Sequence, residues 1–419
     1  MSGLPGFPQI LGVREQARVV NAMLAKRFET ILPAVMRETG FDMWLTICNE
    51  DNYDPIFHTI TPWEVWAPIL QIVVFYDRGD RIERLNISRT DMQGLMENVW
   101  SLSSDEDQWA TLLRVIVERN PKRIGINTSD IIWAADGLTA SLKDKLIETL
   151  GPDLSARLES AEPLCIRWLE TRTPDEIEMY HQACAIGHAI IAKCFSRETI
   201  TPGVTAIDDM RWYYWQMVTD LGLQVSFPPF FRVMRSNAMI ERWGKDDRII
   251  RHGDMIHCDV GVKYLRLITD HQELAYVLHP GETQPPAGLL NGMKQANQLQ
   301  DIFTQTWALG LTGNEILAAA LKRARDEGLC KPKIYSHSLS FYLHEPGPLM
   351  GLPWEQVVCP GRGDVRMYYN TAYTVELSVT CPVPEWGGQE VVFPLEQDAL
   401  FLENGVVYVD GRQTQFHLL

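Results

Sequence analysis

At 419 residues, 46% hydrophobic and 22% charged, the chain has room for two domains and a large buried core. A net charge of −16, from acidic residues spread along the chain, would repel a phosphate backbone or an anionic membrane surface, so neither nucleic acid nor membrane is an expected partner. No stretch approaches the roughly 18 uninterrupted apolar residues of a membrane span, and residues 1–18 lack the basic flank and apolar run of a leader. The eight cysteines, Cys48, Cys165, Cys184, Cys194, Cys258, Cys330, Cys359 and Cys381, have neither disulfide-framework nor zinc-finger spacing, so reduced thiols in a cytoplasmic protein are expected.

In chain order, the apolar rhythm of Val19, Met23, Leu24, Phe28, Ile31, Leu32 and Val35 predicts a helix over 14–38 that stops at Gly40. Strand-like runs follow at 42–48, 70–76 and, after a Gly79-Asp80 turn, 81–87. A helix over 107–119 leads into a strand at 123–127. Residues 1–170 thus read as an α/β domain with one core.

The pattern changes near Arg172. Thr173-Pro174-Asp175-Glu176 is a helix start with a hydroxyl cap, Pro at the first helical position and an acid three residues after the cap. Thr205-Ala206-Ile207-Asp208 resembles it, and Thr312-Gly313-Asn314-Glu315 repeats the capping box. Strand-rich segments lie at 255–262, 267–278, 372–379 and 400–409. Helices then strands, given twice, predict an α+β domain over 171–419 with two similar halves.

Within that domain, residues 253–261 read as a strand ending in a turn and carrying Asp259, and the next strand carries Thr269-Asp270. Carboxylates on adjacent strands of a hairpin can point into one cavity, and such hard oxygen donors suit Mn²⁺ or a similar divalent ion. His257 shares the strand face of Asp259 by two-residue alternation and reads first as a core histidine, with Cys258 packing on the other face. Ser336-His337 is followed seven residues later by His344-Glu345-Pro346. Glu376 stands among apolar residues in Tyr373-Thr374-Val375-Glu376-Leu377, where a charge needs a partner. Glu396 follows Phe393-Pro394-Leu395. Gly361-Arg362-Gly363-Asp364 lacks phosphate-loop spacing and is given no functional weight.

The order and spacing of Asp259, Thr269-Asp270, His337, His344, Glu376 and Glu396 resemble the creatinase, aminopeptidase P and prolidase family. The likeness covers 172–419, and residues 1–170 resemble the α/β domain attached to creatinase-like members. The resemblance implies a pita-bread catalytic domain with two divalent metal ions, Mn first, with Co, Zn or Fe as alternatives. It implies that Asp259 chelates one ion, that Asp270 and Glu396 bridge both, and that His337 and Glu376 complete the second. Hydrolysis of an amide or peptide bond, of Xaa-Pro aminopeptidase or dipeptidase type, would use a water acidified by the ions. Glu376 would shuttle the proton, and His344 would stabilise the tetrahedral intermediate.

Creatinase has this fold without metal, and the substrate shell here departs from the proline-specific pattern. Arg242 and Lys333 stand where such relatives have histidines, Pro394 replaces an Arg, and Glu-Pro-Gly has become Glu376-Leu377-Ser378. Arg242 and Lys333 are therefore candidate substrate-binding residues, fitting a small peptide or amide with an acidic group. Two other readings stand beside the peptidase: an enzyme hydrolysing or eliminating a small non-peptide molecule, and a metal-free binding protein. Family members commonly associate, so a homodimer is expected. The Pro-rich loop 60–68, with Trp63 and Trp66, is the candidate contact.

Overall fold

The computed structural model describes residues 7–419, apart from the side chain of Glu345. The first six residues, part of the stretch read for a leader, lie outside the described residues. Two compact units divide the chain, one of Leu11–Asp175 and one containing Glu176–Leu419. No helix among the described residues is long and apolar enough to cross a membrane, and all eight cysteines are free.

In the first unit, helix Val13–Thr39 buries Val20, Met23, Leu24, Phe28, Ile31, Leu32 and Val35 and ends at Gly40, whose φ of 75° only glycine adopts at no cost. Six strands form one sheet: β1 (Met43–Asn49), β2 (Leu70–Asp77), β3 (Ile82–Asn86), β4 (Glu97–Asn98), β5 (Ile124–Ile126) and β6 (Leu158–Ser160), in the order β4-β3-β2-β1-β5-β6. β1 runs antiparallel to β2 and parallel to β5, as alternating strands and helices require. Met43, Leu45, Ile47, Ile72, Val74, Ile124 and Ile126 meet Leu112, Val115 and Ile116 of helix Gln108–Arg119 in a closed core.

The second unit repeats a helices-then-strands arrangement. Helices Pro174–Cys194 and Ile207–Asp220 precede β7 (Gln224–Val225), β8 (Phe230–Met234), β9 (Met255–Val260), β10 (Val262–Tyr264), β11 (Leu267–Ile268) and β12 (His271–Tyr276). Helices Ala287–Gln305 and Gly313–Asp326 precede β13 (Lys333–Ile334), β14 (Ser336–Ser338), β15 (Glu345–Met350), β16 (Thr371–Thr374), β17 (Leu377–Val383), β18 (Gln389–Leu395), β19 (Asp398–Leu402), β20 (Gly405–Tyr408) and β21 (His417–Leu418). The sheets run β11-β10-β7, β21-β12-β9-β8, β13-β17-β18 and β15-β14-β16-β19-β20. Leu289, Met293, Ala296, Leu299 and Phe303 recur on one helix face and pack on Val379, Cys381, Val391 and Phe393. Gly292 lets that helix approach closely, since a Cβ there would lie 2.2 Å from the Phe393 ring.

One sequence expectation shifts. The Thr312 capping box forms with Glu315, but the start read at Thr205 is displaced by one residue. The helix begins at Ile207, whose N–H bonds Arg248 O at 2.8 Å. The Thr205 hydroxyl accepts from Thr201 N–H, Asp209 accepts from Ala206 N–H, and Asp208 pairs with Arg248. The strand-rich segments 267–278 and 372–379 are each divided into two strands. β11 and β12 are separated at Thr269-Asp270, and β16 and β17 at Val375-Glu376. At Val375 the chain leaves β14 and β19 for β13 and β18, since Val375 N–H bonds Gln397 O (2.8 Å) and Tyr335 N–H bonds Glu376 O (3.0 Å).

Candidate metal centre

The acids occupy those interruptions. Asp270 sits between β11 and β12, Glu376 between β16 and β17, and Glu396 between β18 and β19. A side chain at a strand break is released from the pleat and can enter the cavity where sheets meet. Backbone bonds fix the approach. Gln272 and Glu396 exchange N–H···O bonds at 3.1 Å in both directions, and Asp270 N–H donates to both Asp398 carboxylate oxygens at 3.3 Å. Asp259 lies directly opposite Gln272 in the β9–β12 ladder, so both project from one face.

Asp270, His337 and Glu396 are buried and offer ligand atoms within 4.8 Å of one another. His337 Nε2 is 3.8 Å from Asp270 Oδ2. Glu376 joins them through Gln272, whose side-chain amide donates to Glu376 Oε1 at 2.8 Å and Glu396 Oε2 at 2.7 Å. Burial first, then mutual repulsion, pushes the carboxyls of Asp270, Glu376 and Glu396 well above the usual carboxylate range. Asp259 is pushed up to about 6 by burial, with Arg232 opposing the shift. Four acids this close and this dry cannot all ionise without a compensating cation.

The donor set fits divalent ions. Asp270 Oδ1, Glu396 Oε1 and His337 Nε2 are buried and have no hydrogen-bond partner, which native interiors rarely leave so. His337 Nδ1 lies 3.2 Å from Ser338 O. A carbonyl can only accept, so the proton sits on Nδ1 and the lone pair of Nε2 points at the acids, the tautomer a metal ligand needs. Burial, then His344, holds the His337 ring neutral by lowering its pKa. Carboxylate oxygens with one imidazole suit Mn²⁺-like ions.

Around this cluster, the His344 ring stands edge-on to His337 at 4.4 Å between centroids. Its Nε2 is 3.1 Å from Tyr335 Oη. Burial, then Arg362, lowers its pKa. Arg362, in the Gly-rich turn given no weight above, is therefore electrostatically part of the His344 environment. Lys333, exposed, lines a cavity of about 220 Å³ together with Gln272, Tyr335, Glu376 and Pro394. Arg242 is exposed on helix Asn237–Trp243, with its guanidinium 4.8 Å from the Trp243 ring centroid. A separate cavity of about 530 Å³ beside Trp212 and Trp215 holds none of these groups.

Sequence reasoning missed Gln272, Asp398, Tyr335 and Arg232. His257 is buried as expected, but its Nε2 bonds Gln272 Oε1 at 2.8 Å, tying it to the acids. Asp398 backs Asp270, collecting Tyr180 Oη and Cys184 Sγ at 3.3 Å besides the Asp270 N–H. Its place two residues after Glu396 was the only signal available.

The sequence profile of metallopeptidase family M24 matches residues 178–407. No curated protein matches the chain in sequence. Among solved structures, the chain is similar to an X-Pro aminopeptidase from Thermotoga maritima, with a TM-score of 0.66 and 16% identity, over 92% of this chain and 100% of that one. It is similar to an Xaa-Pro dipeptidase from Bacillus anthracis at a TM-score of 0.62 and 16% identity, over 96% and 100% of the two chains. A prolidase from Pyrococcus horikoshii gives a TM-score of 0.58 and 13% identity, over 95% and 99%. At these identities the likeness fixes the fold, a pita-bread unit behind an N-terminal α/β domain, and the profile match fixes the family. The chain belongs to metallopeptidase family M24, that of creatinase, aminopeptidase P and prolidase, and is a metal-dependent hydrolase.

Proposed function

We propose that Asp259, Asp270, His337, Glu376 and Glu396 hold two divalent cations, Mn²⁺ first, and that the enzyme cleaves an amide or peptide bond, Xaa-Pro peptides being the first substrates to assay. The observation that carries this reading is the buried trio of unpartnered ligand atoms, Asp270 Oδ1, Glu396 Oε1 and His337 Nε2. Bound there, divalent cations supply Lewis-acid activation of water and of the scissile carbonyl. Glu376 takes up a proton at its carboxylate and returns it to the leaving nitrogen. His344, kept neutral and hydrogen-bonded to Tyr335, donates to the developing oxyanion.

Metal analysis of the purified protein, followed by a panel of Xaa-Pro dipeptides and longer peptides with and without Mn²⁺, tests this. Two ions per chain and Mn²⁺-dependent cleavage are expected. Bound metal with no peptide cleaved would favour a small non-peptide substrate, and no bound metal would favour a binding protein. We also propose a homodimer that uses the loop 60–68, where Trp66 is 49% exposed. A monomeric mass at micromolar concentration would refute it.

A further inference from the structure

The face that carries Asp259 and Gln272 continues onto β8. Phe230 lies opposite Asp259, and Arg232 opposite His257, in the antiparallel β8–β9 ladder. Directly opposed residues share a face, so Phe230 and Arg232 project on the same side as the acids. Arg232 stands roughly 7 Å along the strand from the Asp259 level, within reach of a group one residue from the reacting centre.

Arg232 lines a cavity of about 370 Å³ with Arg235, Lys245, Arg248, Val392 and Gln389. Val392 also borders the cavity that contains Gln272 and Glu376. The cations there differ in one respect. Arg235 is held by Asp247 and Asp254 at 2.9 and 2.8 Å, and Arg248 by Asp208. Lys245 is exposed to solvent. Arg232 is part-buried, has no ion pair or hydrogen bond, and its Nε is fully shielded without a partner. Burial lowers its pKa, with Asp259 as the only opposing charge. A guanidinium left partly dry beside a reaction centre lacks the planar, two-oxygen partner its geometry matches.

We propose that Arg232 anchors a carboxylate of the substrate. The enzyme then selects short peptides or amides that bear a free carboxylate about one residue from the bond cleaved. This rests on the peptidase reading above and assigns the carboxylate to β8, away from Arg242. The half-exposed Phe230 ring supplies an apolar wall between the anchor and Asp259.

Calorimetry on the Mn²⁺-loaded protein with N-acetylglycine and with N-acetylglycinamide gives a readout independent of turnover. The acid is expected to bind and the amide to bind more weakly by roughly 10–100-fold, as for a lost hydrogen bond to a charged group. Arg232→Ala should remove that preference, and Arg232→Lys restore part of it, with metal content unchanged. In assays on dipeptides with free or amidated C-termini, Arg232→Ala should raise KM for the acid alone. Undiminished binding of the acid to Arg232→Ala would assign the carboxylate to the metals and overturn the proposal. So would an equal loss for acid and amide, which would make Arg232 a charge partner of Asp259. Arg232-dependent binding of the acid without any peptide cleavage would refute the peptidase reading and leave the anchor standing.

Discussion

His257 Nε2 lies 2.8 Å from Gln272 Oε1. The carboxamide oxygen can only accept, so the imidazole donates and the amide NH₂ is turned toward Glu376 and Glu396. Burial, then Arg232, lowers the His257 pKa to about 3, so the ring stays neutral. Gln272→Leu leaves both carboxylates without their cross-link. Metal affinity is expected to drop roughly 10–100-fold, as for other partners of ligating groups, and competition with a chelating dye measures it. An unchanged affinity would remove Gln272 from the site.

Ligand and non-ligand roles separate by mutation. Asp270→Ala or Glu396→Ala should strip one or both ions. His344→Ala should keep the metals and lose roughly 10²–10³ in rate, as for a single oxyanion donor. Metal analysis and kcat on the same preparations check this. A His344→Ala protein as metal-poor as the ligand variants would contradict the division of roles.

Metal uptake should release protons. With Asp259 raised to about 6 and Asp270, Glu376 and Glu396 pushed by burial and mutual repulsion well above the usual carboxylate range, the empty cluster holds protons that cations displace. Apparent affinity therefore rises with pH and is lost as pH falls through about 6. Calorimetry in buffers of different ionisation enthalpy at pH 7 should find net proton release, and its absence would refute a shared buried cluster.

The first unit carries an independent titration. Burial pushes the Asp54 carboxyl up to about 7 from 3.8, opposed by hydrogen bonds from Asn127 and Ile56. Between about pH 4 and 7 the folded chain holds a proton that the unfolded chain has lost, so stability falls as pH rises, by at most about 1.4 kcal/mol per pH unit. Below that window both states are protonated, and above it both are ionised. Asp54→Asn disturbs one hydrogen bond but should lessen the slope by the share of one proton in urea unfolding of the metal-free protein, where the raised acids of the second unit supply the rest. A slope identical to wild type would exclude Asp54 as a source of it.

Helices with a strong apolar period, such as Val13–Thr39 and Gly313–Asp326, were legible to within a residue or two, because their buried faces and caps are local features. The acids and His337 were legible through the family resemblance that their order and spacing carry, because a hairpin acid pair alone reads as readily as two exposed carboxylates. The strand breaks that hold them were not, because a run such as Ala372 to Val379 keeps its apolar alternation while its hydrogen-bond partners change sheets. Gln272, Tyr335, Arg232 and Arg362 reach the site only through strand register and turns, and no short motif marks them. Arg242 and Lys333 were chosen by alignment position, and on the structure only Lys333 borders the cavity that contains Glu376.

The acids are spread from Asp259, inside β9, to Glu396, between β18 and β19, so no short fragment of the chain contains the site. During synthesis, Asp259 and Asp270 emerge long before Glu396, and the β12–Glu396 backbone pairing that joins them cannot form until the last strands are made. Contacts of such sequence separation close late in folding. Cofactor acquisition is then an event of the finished protein. The ion it carries is set by the supply that the released molecule meets, and a truncation before β18 yields a polypeptide with nowhere to put one.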